Sequence, residues 1–344
     1  MSSESSFDTR ILTQPAELRA IAGEWGDLCG RCPVATPFQR PEWIISWAET
    51  FSPERIRVVE VRSETTLVGL APLLIYGRGG ERVLAFLAGG VSDYLDFIVN
   101  PQGQREIILA IFQALEKVSG WTVMDLTDLS SGSIAYRTML AGLARQHDRC
   151  SAVLLPSTRE ELLQNLSQRQ RSNLRQARSR IQRAGGISIE LATRETLPEF
   201  LEELFQLHTN RWLRDGQTGV LADEAVKAFH RKAAPRLLSY GTLRLYRLRL
   251  RERTVAVLYA LFERDTVFCY LQGYDPEFGS LSPGTHLMFS VMEDAIRSGK
   301  RKFDMLRGQE AYKHHWRAQI EATHRIQLSR VEESAAAPLD FAAA

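Results

Sequence analysis

The feature that most narrows what this chain can become is an order of elements that occurs twice. TLRLYRLRL (242–250), TVAVLYALF (254–262) and TVFCYLQGYD (266–275) are β-rich runs separated by short polar turns, the pattern of an antiparallel meander. LSPGTHLMFSVMEDAIRSG (281–299) then reads as a helix. Ser282 suits its cap and Pro283 its first position; Leu287, Val291, Ala295 and Ile296 form an inner stripe, and Gly299 ends it. KFDML (302–306) returns as a strand. The N-terminal half repeats the order: IRVVEVR (56–62), TLVGLAPLLIY (66–76), RVLAFL (82–87) and YLDFIV (94–99) as strands, IILAIFQALEKVSG (107–120) as helix, WTVMDL (121–126) as return strand. Both helices end in Ser-Gly. Both return strands place an aspartate six positions after that serine, Asp125 and Asp304. Two copies of one α/β unit are expected.

Between them, LLQNLSQRQRSNLRQARSRIQRAGG (162–186) carries Leu163, Leu166, Gln170, Leu174, Ala177 and Ile181 at three- and four-residue steps, so it reads as a helix with one packed face. From Arg169 to Arg183 there are six arginines and no acid, and Arg171, Arg175 and Arg178 share a face. Like charges so arranged destabilise a helix by about 0.2–0.5 kcal/mol per adjacent pair. A phosphate-bearing partner relieves that repulsion; a merely solvated face is the alternative. The expected organisation is a first unit at 1–155, a basic connecting helix at 156–186, a second unit at 187–332 and a disordered tail at 333–344.

Composition adds exclusions. The 344 residues leave room for two cores, and 44% apolar with 24% charged residues describes an ordinary globular chain. A net charge of +2 gives no overall pull toward DNA or a membrane. MSSESSFDTR lacks the apolar run of a signal peptide, and LVGLAPLLIY (67–76) is half a membrane span and contains Pro72, so a cytoplasmic location is expected. Four cysteines are too few for a disulfide scaffold. Cys29 and Cys32 form a lone CxxC with no nearby histidine, read as a structural pair rather than a metal site.

Several short motifs carry a resemblance. GYDP closing a meander, SPG opening a helix, FD in the return strand and G-x-E-x-Y-K-x-x-W (308–316) occur in series. With TPFQRPEWIISWAETF (36–51) and Q-R-x-N-L-R-x-A-R (170–178), they resemble the CelD/BcsL-type acetyltransferases of the GNAT superfamily over roughly residues 10–330. More distantly the pattern is similar to Fem-type peptidoglycan aminoacyl transferases, which also pair two GNAT-like units. The resemblance implies an α/β (α+β) fold of tandem GNAT-like units, each a mostly antiparallel mixed sheet flanked by helices. It also implies acetyl-CoA or another acyl-CoA as donor and an amine acceptor, often on a sugar of an exported polysaccharide. Tyr270 to Gly273 would line the pantetheine arm. Ser282, Gly284 and Thr285 would receive the pyrophosphate on free helix amides. GSLSPG (279–284) departs from the superfamily's usual loop, having no basic residue and an incomplete glycine set.

Amide formation from a thioester needs a neutral amine, donors for the developing oxyanion and a proton for the leaving thiolate. Tyr312, protonated at pH 7, suits the last task; packing against Trp316 one turn later is the alternative. Glu310 is placed either to accept the amine proton, to hold Lys313, or to cap a helix. Lys313 suits a phosphate, as on a nucleotide-linked or lipid-linked sugar, with Trp316 beside it as a substrate-binding residue. His314 and His315 are adjacent and point different ways in a helix, so they share no metal. In VSDYLDFIV (91–99) strand alternation puts Tyr94 and Asp96 on one face and Asp93 on the other. Asp93 is expected at the substrate. Asp96 either serves the amine as base or ligand, or pairs with an arginine of the central helix. Two further readings stand beside the acyltransferase: an aminoacyl-tRNA-dependent transferase, disfavoured by the low net charge and short basic helix, and a non-catalytic GNAT-like binding module.

Overall fold

The structure is a computed structural model and describes residues 7–51, 55–139, 143–214, 216–308 and 310–330. The tail expected at 333–344 lies outside these. In the first half, β1 (Phe7–Leu12) leads through α1 (Pro15–Ala20), α2 (Ala22–Arg31) and α3 (Pro41–Phe51) to the antiparallel strands β2 (Ile56–Ser63), β3 (Thr66–Arg78) and β4 (Glu81–Phe86). The short β5 (Ile98–Val99), α4 (Gln104–Glu116), the return strand β6 (Val123–Ser130), α5 (Ile134–Met139) and β7 (Arg145–Leu154) follow. The second half begins with α6 (Arg159–Asn165), α7 (Gln168–Arg183), β8 (Ile187–Leu191), α8 (Leu197–Arg214) and α9 (Glu224–Tyr240). It continues with the meander β9 (Leu243–Leu250), β10 (Arg253–Glu263) and β11 (Thr266–Tyr274). Then come α10 (Pro283–Arg297), the return strand β12 (Lys302–Arg307), α11 (Ala311–His315) and β13 (Gln319–Ser329).

One sheet runs through the molecule in the order β1-β2-β3-β4-β6-β13-β7-β12-β11-β10-β9-β8, with β5 on β3. Its pairs are antiparallel except β4 with β6 and β11 with β12, the places where a helix crossover brings the chain back parallel. The fold is therefore a mixed α/β architecture with a large, mostly antiparallel open sheet flanked by helices. The doubled element order is real, but the halves trade their last strands. β13, from the C-terminal end, lies against β6 of the first half; β7, from the first half, lies against β12 of the second; β7 and β13 pair with each other at the centre.

Helix faces follow the expected stripes. Leu287, Val291 and Ala295 of α10 are fully buried and Ile296 half-buried. On the other half α4 sits so close to β3 that a Cβ at Gly69 would lie 2.4 Å from Ile107 Cγ2, so that position requires glycine.

Three expectations change. Residues 94–97 are not strand: Leu95 N donates to the Asp128 carbonyl and Asp96 turns its carboxylate onto backbone amides, so this segment spends its hydrogen bonds outside the ladder. The face assignment drawn from strand alternation for Asp93, Tyr94 and Asp96 therefore fails. The basic segment is two helices, because Ser167 caps α7 by accepting from Gln170 N while Arg171 donates to the carbonyls of Leu163, Gln164 and Leu166 at the end of α6. In TLRLYRLRL (242–250) the apolar alternation slips phase at Tyr246-Arg247, from which a bulge is expected; the structure has none there, since Arg247 is buried among Glu190, Glu199 and Glu203, and the register slip lies in β10 near Val255.

Because β13 lies between β6 and β7 at the centre of the sheet, a chain ending at residue 318 would leave both of them as bare edges. It is expected to lose cooperative folding altogether. The intact chain should unfold in urea in one transition by tryptophan fluorescence and circular dichroism; two separated transitions would show that the halves fold independently.

Candidate active site

Two bulges open the sheet where the second half's parallel pair should continue. β11 and β12 are paired only from Thr266–Phe268 to Lys302–Asp304. Past that point Tyr270 is an extra residue in β11, since Tyr259 faces Leu271 while Ala260 faces Cys269. β12 slips against β7 between Asp304 and Arg307, with Leu306 in the left-handed region at φ 59°. A buried leucine there costs about 1–3 kcal/mol and persists only where neighbours hold it. Beyond Phe268 the β12-facing edge of β11 has no strand partner among the described residues. The result is a wedge.

Buried charges hold its far wall. Lys313 is almost fully buried, and its Nζ donates to the carbonyls of Leu306, Arg307 and Gly308 while lying 3.0 Å from Glu310 Oε2. Lys313 is thus committed to the strand end and has no hydrogen left for a phosphate. Gly308 has φ 101°, and a Cβ there would meet Glu310 Oε2 at 2.5 Å, so the turn between β12 and α11 needs glycine. Arg307 reaches across to the first half: Nε lies 2.8 Å from Asp93 Oδ1, Nη1 3.2 Å from Asp128 Oδ1, and Nη2 donates to the Ser92 carbonyl. Asp128 occupies the bulge of β6 and is itself left-handed at φ 62°. The two return-strand bulges are bolted together by one guanidinium.

On one side of the wedge a cavity of about 230 Å3 opens at the start of α10, lined by Arg211, Gln272, Tyr274, Ser282, Gly284, Thr285, Tyr312 and Trp316. Ser282 is left-handed, its side chain makes no cap bond, and Pro283 has no N–H. The amides of Gly284 and Thr285 therefore stand free among the described residues. A Cβ on Gly284 would lie 2.3 Å from Gln272 Nε2, so the Gln272 amide packs directly over this glycine. Arg211 comes from α8 and lies over the rings of Trp212 and Tyr274, 5.6 and 5.3 Å from their centroids, without an acidic partner among the described residues. Trp316 stacks on Phe289 at 6.4 Å.

On the other side a cavity of about 190 Å3 shares Arg211, Gln272 and Tyr312 with the first and adds Asp93, His208, Cys269, Tyr270, Leu306 and Glu310. Burial, with the Cys269 thiol and the Glu310 carboxylate nearby, pushes the Tyr312 phenol above its ordinary value, so it stays protonated at neutral pH. His208 accepts from Trp212 Nε1 at 3.0 Å, which leaves its Nδ1 as the protonated nitrogen, and Nδ1 has no partner among the described residues. Behind it, His230 and Tyr259 pack with Tyr270, Trp43 and Phe38. The 36–51 motif is scaffolding for this wall: Trp43 donates to Ser92 Oγ and Tyr270 to the Val91 carbonyl, fixing the 88–96 loop against the wedge.

The structure brings Tyr312, Glu310, Asp93, Tyr270, Ser282, Gly284, Thr285, Lys313 and Trp316 to these two cavities. It leaves four residues elsewhere. Asp96 is buried with its oxygens taken by the amides of Phe97, Ile134 and Ala135, meeting neither an amine nor the central helix. Gly273 faces α8, where a Cβ would lie 2.6 Å from His208 N. Arg171 and Arg175 line a separate groove between α7 and α10. Sequence reasoning missed Arg211, His208 and Arg307. The first two had a legible signal: HTNRWLR (208–214) sets an imidazole, a guanidinium and an indole within one turn of an otherwise amphipathic helix.

A family described as "Acetyltransferase (GNAT) domain" matches residues 168–314, so the second half contains a GNAT acyltransferase-type domain. No curated protein matches the chain. Among solved structures, FemX aligns at 13% identity and TM-score 0.67 over 93% of this chain and 97% of its own. The C-terminal domain of a putative lysylphosphatidylglycerol synthetase from Agrobacterium fabrum aligns at 13% and 0.57 over 91% and 92%. L-PGS from Bacillus licheniformis aligns at 14% and 0.53 over 91% of each. At such identities the likeness is one of fold. Among the described residues no helix is long and apolar enough to cross a membrane, and no cluster of side chains suits a metal ion.

Burial pulls both imidazoles down, His208 with Arg211 nearby to about 4 and His230 beside His208 to about 3. Their folded pKa values lie below the unfolded value near 6.5, so the unfolded chain gains protons that the folded chain refuses as pH falls. The contribution of these two histidines is expected to be full above pH 6.5 and to fall from there toward pH 4, at up to about 1.4 kcal/mol per pH unit for each, while buried Asp96, Asp128 and Asp304, whose pKa values burial raises, act in the opposite sense. Urea unfolding of the wild type and His230→Gln across that range checks it: the stability difference between the two proteins should change with pH below 6.5, and a difference that stays constant would be the opposite outcome.

Proposed function

We propose that the chain transfers an acyl group, acetyl in the simplest case, from acyl-CoA to the amine of a polar acceptor such as an amino sugar or polysaccharide precursor. One observation carries this reading: the cavity at the free amides of α10 and the cavity at the splayed β11–β12 wedge adjoin, sharing Arg211, Gln272 and Tyr312 as their common wall. Anion binding at such amides is electrostatically favoured, and Arg211 supplies from α8 the positive charge that the 279–284 loop lacks. The thioester then supplies an activated carbonyl in the wedge.

Each residue has a task. The unpaired edge of β11 offers N–H donors to the carbonyl oxygen as it gains charge. The acceptor enters from the α8 side, past Asp93 and His208. Glu310, partly exposed at that cavity, takes the amine proton directly or through a water as the C–N bond forms. The C–S bond breaks, and Tyr312 protonates the departing thiolate. Lys313 and Arg307 touch neither reactant in this scheme; they hold the bulged strand end. No step calls for a metal.

The fold shared with FemX over nearly the whole chain, together with the arginine-rich α7, favours a second reading with an aminoacyl-tRNA as donor. Isothermal titration separates the two: heat with acetyl-CoA supports the first, heat with aminoacyl-tRNA alone the second, and heat with only a nucleotide sugar a non-catalytic binding role. Tyr312→Phe is expected to lower turnover about a hundredfold while leaving acyl-CoA affinity nearly unchanged. Equal turnover of the two proteins removes Tyr312 from the chemistry. Arg211→Ala is expected to weaken acetyl-CoA binding roughly tenfold with little loss at saturation, the loss of one charge-assisted contact; unchanged affinity would place the pyrophosphate elsewhere.

A further inference from the structure

On the outer side of α10 lies a groove of about 840 Å3 that shares no lining residue with the two cavities of the wedge. Its floor is apolar, made by Leu163, Leu174, Ile181, Ile187 and Phe289. Its rim is cationic. Arg171, Arg175 and Arg178 follow one another at four- and three-residue steps along α7, about 10 Å from first to last. The sequence leaves these charges uncompensated, and the tertiary structure does not repair that. Arg171 is half-spent on the α6 carbonyls, while Arg175 and Arg178 have no carboxylate partner among the described residues. The groove's own acid, Glu293, is already taken by Arg159, which also covers the Phe289 ring. At the groove wall His286 Nε2 is buried without a partner among the described residues.

We propose that this groove is a binding site for a lipid phosphate, a phosphate ester carrying an acyl or prenyl chain, with the phosphate at Arg175 and Arg178 and the chain along the Leu174–Ile181–Phe289 floor. The lining sorts the ligand. Free phosphate would use the rim and leave the floor wet. An RNA strand would need open aromatic faces for its bases, and the lining offers the Phe289 ring, which Arg159 covers and Trp316 stacks on, and the half-buried His286 imidazole. A phosphate with a hydrocarbon chain satisfies both halves of the groove and gives His286 a polar neighbour. The site is independent of the donor chemistry proposed above, because α10 separates the two.

The test is binding of monomeric dihexanoyl phosphatidic acid to the full chain by isothermal titration, beside inorganic phosphate and a short single-stranded RNA. The expected result is binding of the lipid phosphate well above that of inorganic phosphate. Arg175→Ala with Arg178→Ala should weaken it about thirty-fold, two surface charges' worth. Arg169→Ala with Arg183→Ala removes the same charge from the opposite face of α7 and should leave the affinity unchanged. Three results overturn the proposal: inorganic phosphate binding as tightly as the lipid, the off-groove pair costing as much as the groove pair, or binding of the RNA alone.

Discussion

Each half of this sheet is closed by a strand that the other half supplies. β13 fills the place beside β6, β7 fills the place beside β12, and the two run antiparallel to each other through the centre. Neither return strand has its full complement of hydrogen bonds until residues more than a hundred positions away arrive, so the halves share one ladder rather than an interface. That sharing brings the bulge of β6 and the bulge of β12 near enough for Arg307 to join them through Asp93 and Asp128. A hinge between halves would lose this geometry; a shared strand cannot.

From that constraint the wedge follows. A parallel pair opens because both of its strands are bulged, and a left-handed buried leucine is tolerated because Lys313 collects three carbonyls and a carboxylate around it. The strain and its restraint sit on opposite sides of the same turn, where Gly308 alone permits the approach of Glu310. The first half contributes to this site without copying it. Its signature aromatic residues, Phe38 and Trp43, pack behind Tyr270, and its 88–96 loop forms the wall facing α8. Its own return-strand aspartate, Asp125, is gripped by Arg78 and Arg325, whereas Asp304 is buried beside Tyr94, and burial raises its pKa. The matched positions have diverged into different jobs.

Much of this was legible in the residues. The meander, the SPG helix start, the return strand and the Glu310–Trp316 cluster can be read because each depends on local spacing, and period-two and period-3.6 patterns survive whatever packs against them. Tyr312 was legible for the same reason, lying one turn past a strand that ends at glycine. Lys313 was misjudged because a free ammonium and an ammonium absorbed by carbonyls have the same letter. Asp96 was misjudged because a short apolar run, 94–99, looks like strand until the competing amides of α5 are in place.

The sequence by itself determined the doubled element order, the open helix start with its two free amides, and a stripe of arginines with no local acid, since these follow from neighbours within one or two turns. Tertiary structure alone decided which strand completes which half, that Arg211 stands at the mouth that the loop left without a cation, and that His208 is neutral and turned toward Trp212. Those are outcomes of desolvation and of contacts between elements far apart in the chain, and one-dimensional spacing carries no term for either.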